Sequence, residues 1–388
     1  MCFLYGETPW NCTYAVHMHK KSLTIINYHV IMLTSNRLTY LGVVIITIKD
    51  IARAAGVSTA TVSYVLNGTR QVSPVRRQRV LDVINETGYQ PNVVAKNLRT
   101  QKTNTIGVLV EDVMSFSTPG IINGISEYME KTEYHILLND LRMMDSLYNQ
   151  YDQVIHQKEK IHKELMFLIY GAKVDAVIYI GMFDRDISGV ISDVKIPVVI
   201  AYSISKDPRV NFVTYENENI SAQVAGYLIN KGHKRIAVIT GLSHTAPAQL
   251  RLEGFRQGFV NHGCVLDETL MVNGNWERDS GYSCMKVLLK KTQPPTAVFV
   301  MNDLMAIGAI DAIHEAGLTV PQDIAVVSFD NREFSYLVNP KLSTVEIDLR
   351  SIGYTAAQMV AEKLSETGEL ANKRKVIIPS KLLVRESG

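Results

Sequence analysis

From Thr47 onward the apolar positions follow two successive patterns. Up to Gly88 they recur three and four residues apart: Ile48, Ile51, Ala52 and Ala55, then Val57, Val62, Val65 and Leu66, then Val75, Val80, Val83 and Ile84. Such spacing gives each of three short helices one core-facing stripe. Thr47 is placed to cap the first helix, Gly56 supplies a tight turn, and Ser58 caps a second helix running to Asn67. The third spans Pro74 to Thr87, with Gly88 as its C-cap. Helices joined through a glycine turn in this way make a helix-turn-helix unit. After Thr105 the chain breaks into short β-branched runs: "TIGVLV", "HILLND", "VDAVIYIG", "IPVVIAY", "RIAVITG", "TAVFVMND" and "IAVVSFD". Helical stretches such as Ala222–Lys231 and Met305–Ala316 separate them. Strands alternating with helices predict parallel sheets covered on both faces, here in two α/β subdomains.

The second helix has an outer face of Thr59, Ala60, Ser63 and Tyr64. Short side chains there let a helix settle into the major groove of duplex DNA. A small bundle that binds nothing would show the same apolar stripe. Charge separates the two readings. Residues 47–104 hold nine Lys/Arg against three Asp/Glu, whereas the chain as a whole carries only +2. Arg70, Arg76, Arg77 and Arg79 stand near the second helix, available for phosphates. A basic module joined to an acidic body is the charge layout of a nucleic-acid reader with a separate sensor.

Residues 1–46 lack either periodicity. They show no basic segment followed by a long apolar run, and "LGVVIITI" is too short to cross a bilayer. The expectation is a disordered extension without function, produced by a start placed too far upstream; a genuine regulatory arm is the alternative. Cys2, Cys12, Cys264 and Cys284 form no CxxC pair and no zinc spacing, which suits a reducing, cytoplasmic setting.

"TIKDIARAAGVSTATVSYVLNG" followed by "VSPVRRQRVLDVINETGYQPNVVAKNLRTQKTNTIGVLV" resembles the LacI/GalR family of bacterial transcription regulators, over residues 47–388. The resemblance implies an all-α helix-turn-helix DNA-binding head and an α/β periplasmic-binding-protein-like sensor of two parallel-sheet subdomains, between which the chain crosses three times. It places Thr59, Ala60 and Tyr64 at base-reading positions, with Ser58, Thr61 and Ser63 beside them on the same helix. Tyr64 stands where a family member has arginine, so a bidentate contact to guanine is not implied there. Thr47, Asn67, Ser73, Tyr89 and Asn92 fall where members touch the phosphate backbone, and Arg76 joins them as a phosphate contact. Pro91 can open a helix, but the piece to Arg99 is too short to be stable alone. In the family this segment is the hinge helix, which pairs with its dimer mate in the minor groove. Leu98 would act as the apolar wedge, with small Ala95 one turn earlier. A plain linker is the alternative.

Ligands of such sheets bind beyond the C-terminal strand ends, and between two subdomains that means a cleft. By the resemblance, Arg251 is the arginine that grips a sugar, suiting a vicinal diol. Asn302, Asp303 and Asp330 would bind ligand hydroxyls, and Trp276 would stack on a sugar ring. Phe116 and Pro119 would line the other wall. Tyr202 replaces an acid of the family pattern and Ile347 an amide. Each residue has a plainer role open to it: Trp276 in the core, Asp303 as a helix N-cap, Arg251 in a surface ion pair. The charged run Lys158–Lys163 reads as a solvated helix face.

No GxGxxG, GxxxxGK[ST], HExxH or GxSxG occurs, so neither an enzyme nor a cofactor or metal site is expected. An exported solute-binding protein would share the large fold without a DNA-reading head. The expected layout is therefore an extension (1–46), a DNA-binding domain (47–91), a hinge helix and linker (92–104) and a ligand-binding and dimerisation domain (105–388). Its subdomains would be 105–214 with 349–373, and 215–348 with 374–388. One recognition helix reads few base pairs, so the expected partner is a near-palindromic double-stranded operator gripped by a homodimer, with no membrane involved. No heptad repeat follows Arg385, so no tetramerising coiled coil is expected. The effector is expected to be a sugar that releases a repressor from carbohydrate genes. A nucleobase or other metabolite acting as co-repressor is the alternative.

Overall fold

The computed structural model describes residues 32–34, 37–39, 46–68, 70–89, 102–143, 154–189, 191, 194–368 and 375–388. The chain divides into two compact units, Met1–Arg99 and Thr100–Gly388. In the extension before Ile46 the described residues form one antiparallel pair, β1 (Met32–Thr34) with β2 (Arg37–Thr39), where the sequence gives no strand alternation. The rest of that stretch lies outside the described residues.

The first unit carries α1 (Ile48–Ala54), α2 (Thr59–Asn67) and α3 (Pro74–Thr87). Local chemistry sets their ends. Both the N–H and the hydroxyl of Thr47 donate to Asp50 Oδ2, at 3.0 and 2.6 Å. Ser58 Oγ accepts the Thr61 N–H at 3.2 Å, filling one of the orphan donors at the start of α2. Gly56, in the turn between α1 and α2, has φ +64°, a conformation an L side chain resists. Ile51, Ala52, Ala55, Val62 and Val80 are buried together, with Val57, Val65, Leu66, Val83 and Ile84 partly covered against them. Val75 departs from the sequence expectation: it is 71% exposed. Five residues before Val80, it lies about 140° round the helix from the buried stripe.

The second unit holds two six-stranded sheets. The first runs β13 (Lys375–Ile378), β7 (Asn211–Tyr215), β6 (Val198–Ala201), β5 (Ala176–Ile180), β3 (Thr105–Val110), β4 (His135–Asp140), all parallel. The second runs β14 (Lys381–Leu383), β12 (Ser343–Glu346), β11 (Ala325–Asp330), β10 (Ala297–Val300), β8 (Ile236–Thr240), β9 (Met271–Asn273), with β14 the antiparallel member. Helices α4 (Thr118–Met129) and α10 (Leu349–Ser365) pack together on the first subdomain. In the second, α6 (Glu218–Asn230) packs on α7 (Ala246–Asn261), and α8 (Arg278–Leu289) on α9 (Asp303–Glu315). Between β4 and β5 lies α5 (Val154–Met166), on which Lys158, Glu159, Lys160, His162 and Lys163 are exposed while Ile161 is buried, a solvated face.

The chain crosses between the sheets three times: after β7, after β12 and after β13. The last crossing corrects the expected boundary at 374. β13 pairs with β7, from Lys375 opposite Phe212 to Ile378 opposite Tyr215, so 375–378 belong to the first subdomain. At the third crossing, the Ser380 hydroxyl donates to Glu216 C=O, at the first crossing, at 2.9 Å. Among the described residues of the second unit, five strands escape the sequence reading (β7, β9, β12, β13 and β14), and four of these are only three or four residues long. So short a run carries little period.

Candidate functional site

The outer face of α2 is the first candidate. Thr59 and Ala60 are exposed, and Ser63 and Tyr64 are half-buried. Ser58 and Thr61 are tied to the helix start, their hydroxyls 2.9 Å apart. The Arg70 guanidinium lies 5.3 Å from the Tyr64 ring centroid, a cation–π contact that sequence spacing does not reveal. Ser73 occupies the N-cap position of α3 without a side-chain capping bond, and Arg76, Arg77 and Arg79 extend the exposed basic surface. Tyr89 is partly buried against the small core, and burial pushes its phenol upward. Asn92, Ala95 and Leu98 lie outside the described residues, as does the side chain of Asn67.

In the second unit a cavity of about 500 Å³ opens between the two subdomains. Its walls come from the segments beyond the C-terminal ends of the parallel strands, where such sheets leave a crevice. The first subdomain contributes Ser115 and Phe116 after β3, Met182 and Phe183 after β5, Tyr202 after β6, and Tyr215 at the end of β7. Opposite stand Thr245 and Arg251 after β8, Trp276 and Glu277 after β9, Asn302 after β10, and Asp330 and Arg332 at and after the end of β11.

Arg251 is 3% exposed and extensively bonded. Nε donates to Asn217 Oδ1 at 3.0 Å and Nη2 to the Tyr215 hydroxyl at 3.3 Å, while Nη1 donates to the Met301 carbonyl. Nη1 also stands 3.6 Å from Asp330 Oδ1, and the guanidinium carbon sits 3.6 Å over the Phe329 ring. Arg251 is thus no surface ion pair. Burial drives the Asp330 carboxyl up to about 7 against the pull of Arg251. Asp330 has φ +112° and Tyr202 φ +65°, outlying values for side-chain-bearing residues, held at the cavity rim. Tyr202 stacks on Tyr215 with ring centroids 4.8 Å apart and meets Phe116 edge-on at 6.5 Å.

Trp276 lines the cavity rather than filling the core. Its backbone carbonyl accepts from Asn302 Nδ2 at 2.8 Å, and its ring lies flat on Gly241, where a Cβ would come within 1.9 Å of it. Asn302 caps α9 through Oδ1, accepting the Met305 N–H at 2.9 Å.

Two expected ligand residues fall elsewhere. Asp303 is fully buried behind the cavity. Its carboxylate accepts from the Ser328 and Thr344 hydroxyls at 2.5 and 2.7 Å and from the Arg332 N–H at 2.6 Å, so it clamps β11 to β12 and positions the Arg332 loop. Pro119, at the start of α4, is exposed and outside the lining, because the chain turns into the helix after Phe116. Ile347 is a buried core residue. Sequence reasoning missed Met182, Phe183, Tyr215, Glu277 and Arg332. Each lies at or just beyond a strand end: Tyr215 ends β7 and Glu277 follows β9, which carry too little period to be read as strands, whereas Met182, Phe183 and Arg332 follow β5 and β11 and owe their place on the wall to the folding of the cleft.

Among the described residues no helix is long and apolar enough to cross a membrane, and no group of three or more His, Cys, Asp or Glu could hold a metal.

Comparison with known proteins agrees with this architecture. Residues 47–92 match the family described as "Bacterial regulatory proteins, lacI family", and residues 225–388 match the "Periplasmic binding protein-like domain". Catabolite control protein A of Priestia megaterium is 31% identical over 344 residues, 88% of this chain and 99% of that protein. The HTH-type transcriptional repressor PurR of Pasteurella multocida is likewise 31% identical, over 88% of this chain and 98% of its own length. Among solved structures, the lac repressor dimer bound to operator and the anti-inducer ONPF superposes with a TM-score of 0.72 at 25% identity, covering 88% of this chain and 98% of that one. The transcriptional regulator CelR in complex with cellobiose gives 0.61 at 27% identity, covering 88% and 100%.

Proposed function

Because the chain belongs to the lacI family of bacterial regulatory proteins, we propose that it is a non-catalytic, ligand-responsive repressor that reads a near-palindromic operator as a homodimer in the cytoplasm and controls carbohydrate genes. Thr59, Ala60 and Tyr64 would meet base edges, and Thr47, Ser73 and Arg76 the phosphates. The sensor cleft would take a small ring compound. The observation that carries this reading is the pairing of an exposed, short-side-chained α2 in a basic head with an aromatic, arginine-centred cavity of about 500 Å³ in a separate unit. Ligand closing the two subdomains would shift the dimer geometry and, with it, the grip on DNA. The cellobiose held by CelR supports a sugar-sized effector. A planar nucleobase acting as co-repressor is the second reading, favoured by the stacked Tyr202–Tyr215 pair beside Phe116.

The test is selection of bound duplexes from a random-sequence library, followed by titration of the selected duplex with sugars and nucleobases. A near-palindromic consensus and sugar-driven release are expected. Recovery of no preferred sequence would overturn the reading, and nucleobase-enhanced binding would favour the second one.

A further inference from the structure

We infer that the effector carries an anionic group, a carboxylate or a phosphate on a small polyhydroxy ring, and that Arg332 is the residue that reads it. This rests on the cleft being the effector site, as proposed above. Arg332 lines the cavity from the second subdomain. Its guanidinium lies 5.0 Å from the ring centroid of Phe116, which belongs to the facing wall, and 4.9 Å from that of Phe334. Among the described residues no carboxylate comes within ion-pair distance of it, and its backbone N–H alone is committed, to Asp303.

The contrast with Arg251 is what gives Arg332 its meaning. The donors of Arg251 are spread over Asn217, Met301 and Tyr215, and its charge faces Asp330. Arg332 brings a full set of side-chain N–H donors with no protein acceptor. The two aromatic rings flank the guanidinium without accepting its N–H groups, which stay available for bidentate recognition. A ligand filling the cavity would strip water from this cation. Asp303 and Asp330 attract this charge from beyond ion-pair distance but give its side-chain N–H groups no acceptor, so once desolvated the guanidinium is left unsatisfied unless a ligand carboxylate or phosphate meets it. Thr245 and Asn302, at the N-terminal ends of α7 and α9, also line the cavity, and helix N-termini favour negative charge. Glu277, the other unpaired charge on the wall, can only accept while ionised and so suits ring hydroxyls.

The test is calorimetric titration of the full chain with glucuronate, galacturonate and glucose 6-phosphate, against neutral glucose and galactose at matched ionic strength. Acetate and inorganic phosphate serve as controls for the charge alone. At least one acidic ring should bind tenfold or more tightly than its neutral parent, and whether a uronate or the phosphate does so identifies the anion. Arg332→Gln should collapse that ratio towards one, and Arg332→Lys should preserve part of it. An acid-to-neutral ratio near one in the parent protein overturns the inference, as does a ratio that survives Arg332→Gln. If neutral sugars or nucleobases bind and no acidic ring does, the inference falls while the regulator reading stands. If no small molecule of any of these classes binds, the effector reading of the cleft falls with it.

Discussion

Arg251 Nε donates to Asn217 Oδ1 at 3.0 Å, and Asn217 passes the contact on, its Nδ2 donating to Asp184 Oδ2 at 3.2 Å. Arg251 belongs to the second subdomain and Asp184 to the first, while Asn217 stands at the first chain crossing, just before α6. The cation at the centre of the cavity is therefore wired to the hinge. Movement of one subdomain against the other must either carry this relay along or break it.

Removing the cation should expose that dependence. Arg251→Ala leaves Asp330 to bury a proton in place of its partner and takes the donors away from Asn217, Tyr215 and the Met301 carbonyl, a loss of about 1–3 kcal/mol. The unfolding midpoint of the ligand-free sensor should fall, and the effector-induced rise in midpoint should vanish. Operator binding should persist, because the head has its own core in Ile51, Val62 and Val80. Adding Asp330→Asn to Arg251→Ala should restore part of the lost stability. Scanning calorimetry beside gel-shift titration checks all three, and an unchanged midpoint in Arg251→Ala would remove the ion pair from the sensor's energetics.

Acidity should act on the same centre. Burial pushes Asp330 up to about 7 and Asp184 up to about 6, in both cases against the attraction of Arg251. Asp303 adds to the upward push on Asp330, while Arg332 opposes it. A carboxylate with a raised folded pKa binds its proton more tightly folded than unfolded. Its contribution to stability is therefore greatest at acid pH and declines as pH rises from the ordinary carboxylate range through the folded value. Between about pH 4 and 7 the parent midpoint should fall more steeply than that of Asp330→Asn, whose amide does not titrate. Parallel slopes for the two proteins would mean that Asp330 does not titrate in this window.

The three-helix head was legible almost to the residue because its ends are set by local chemistry: Thr47, Gly56, Ser58 and Gly88 act within one turn of themselves. Val75 lies off the expected stripe because one apolar residue at a helix start fits several phases of a 3.6-residue period. In the sensor, the long buried strands announced themselves, whereas β13 did not: "KVII" gains its place from pairing with β7, more than 150 residues earlier. The cavity residues divide in the same way. Arg251, Trp276 and Asp330 stand in recognisable segments. Arg332 owes its role to Phe116 across the cleft, and Asp303 its role to Ser328 and Thr344, contacts made only by the folded chain.

Gly241 offers a test of how Trp276 is held. A methyl at this position, immediately after β8, would overlap the indole, with a nearest approach of 1.9 Å. Gly241→Ala should displace the ring, with an overpacking cost of about 1–3 kcal/mol. In a Trp10→Phe background, Trp276 is the one remaining tryptophan, so its emission should shift and effector affinity should fall together. Unaltered emission and affinity would show that the indole does not need this platform.

The reading head divides into residues that should set sequence preference and residues that should set only grip. Thr59 and Ala60 are exposed at the start of α2, with no side-chain partner among the described residues of the head, so bulkier replacements there should leave the fold intact and alter the ranking of operator variants. Arg76, exposed in the first turns of α3, should contribute charge alone: Arg76→Ala should weaken every duplex by a similar factor and reduce the salt dependence of binding by about one counterion. Tyr64 joins the two behaviours, because Arg70 lies over its ring. Tyr64→Ala should change preference at the bases it faces and also loosen the hold of Arg70, so its effect should be partly sequence-dependent and partly salt-dependent. Binding of a full set of single-base operator variants, measured at several salt concentrations, separates the contributions. If the Thr59 and Ala60 variants kept the parent ranking while Arg76→Ala reordered it, α3 rather than α2 would be the helix that reads the groove.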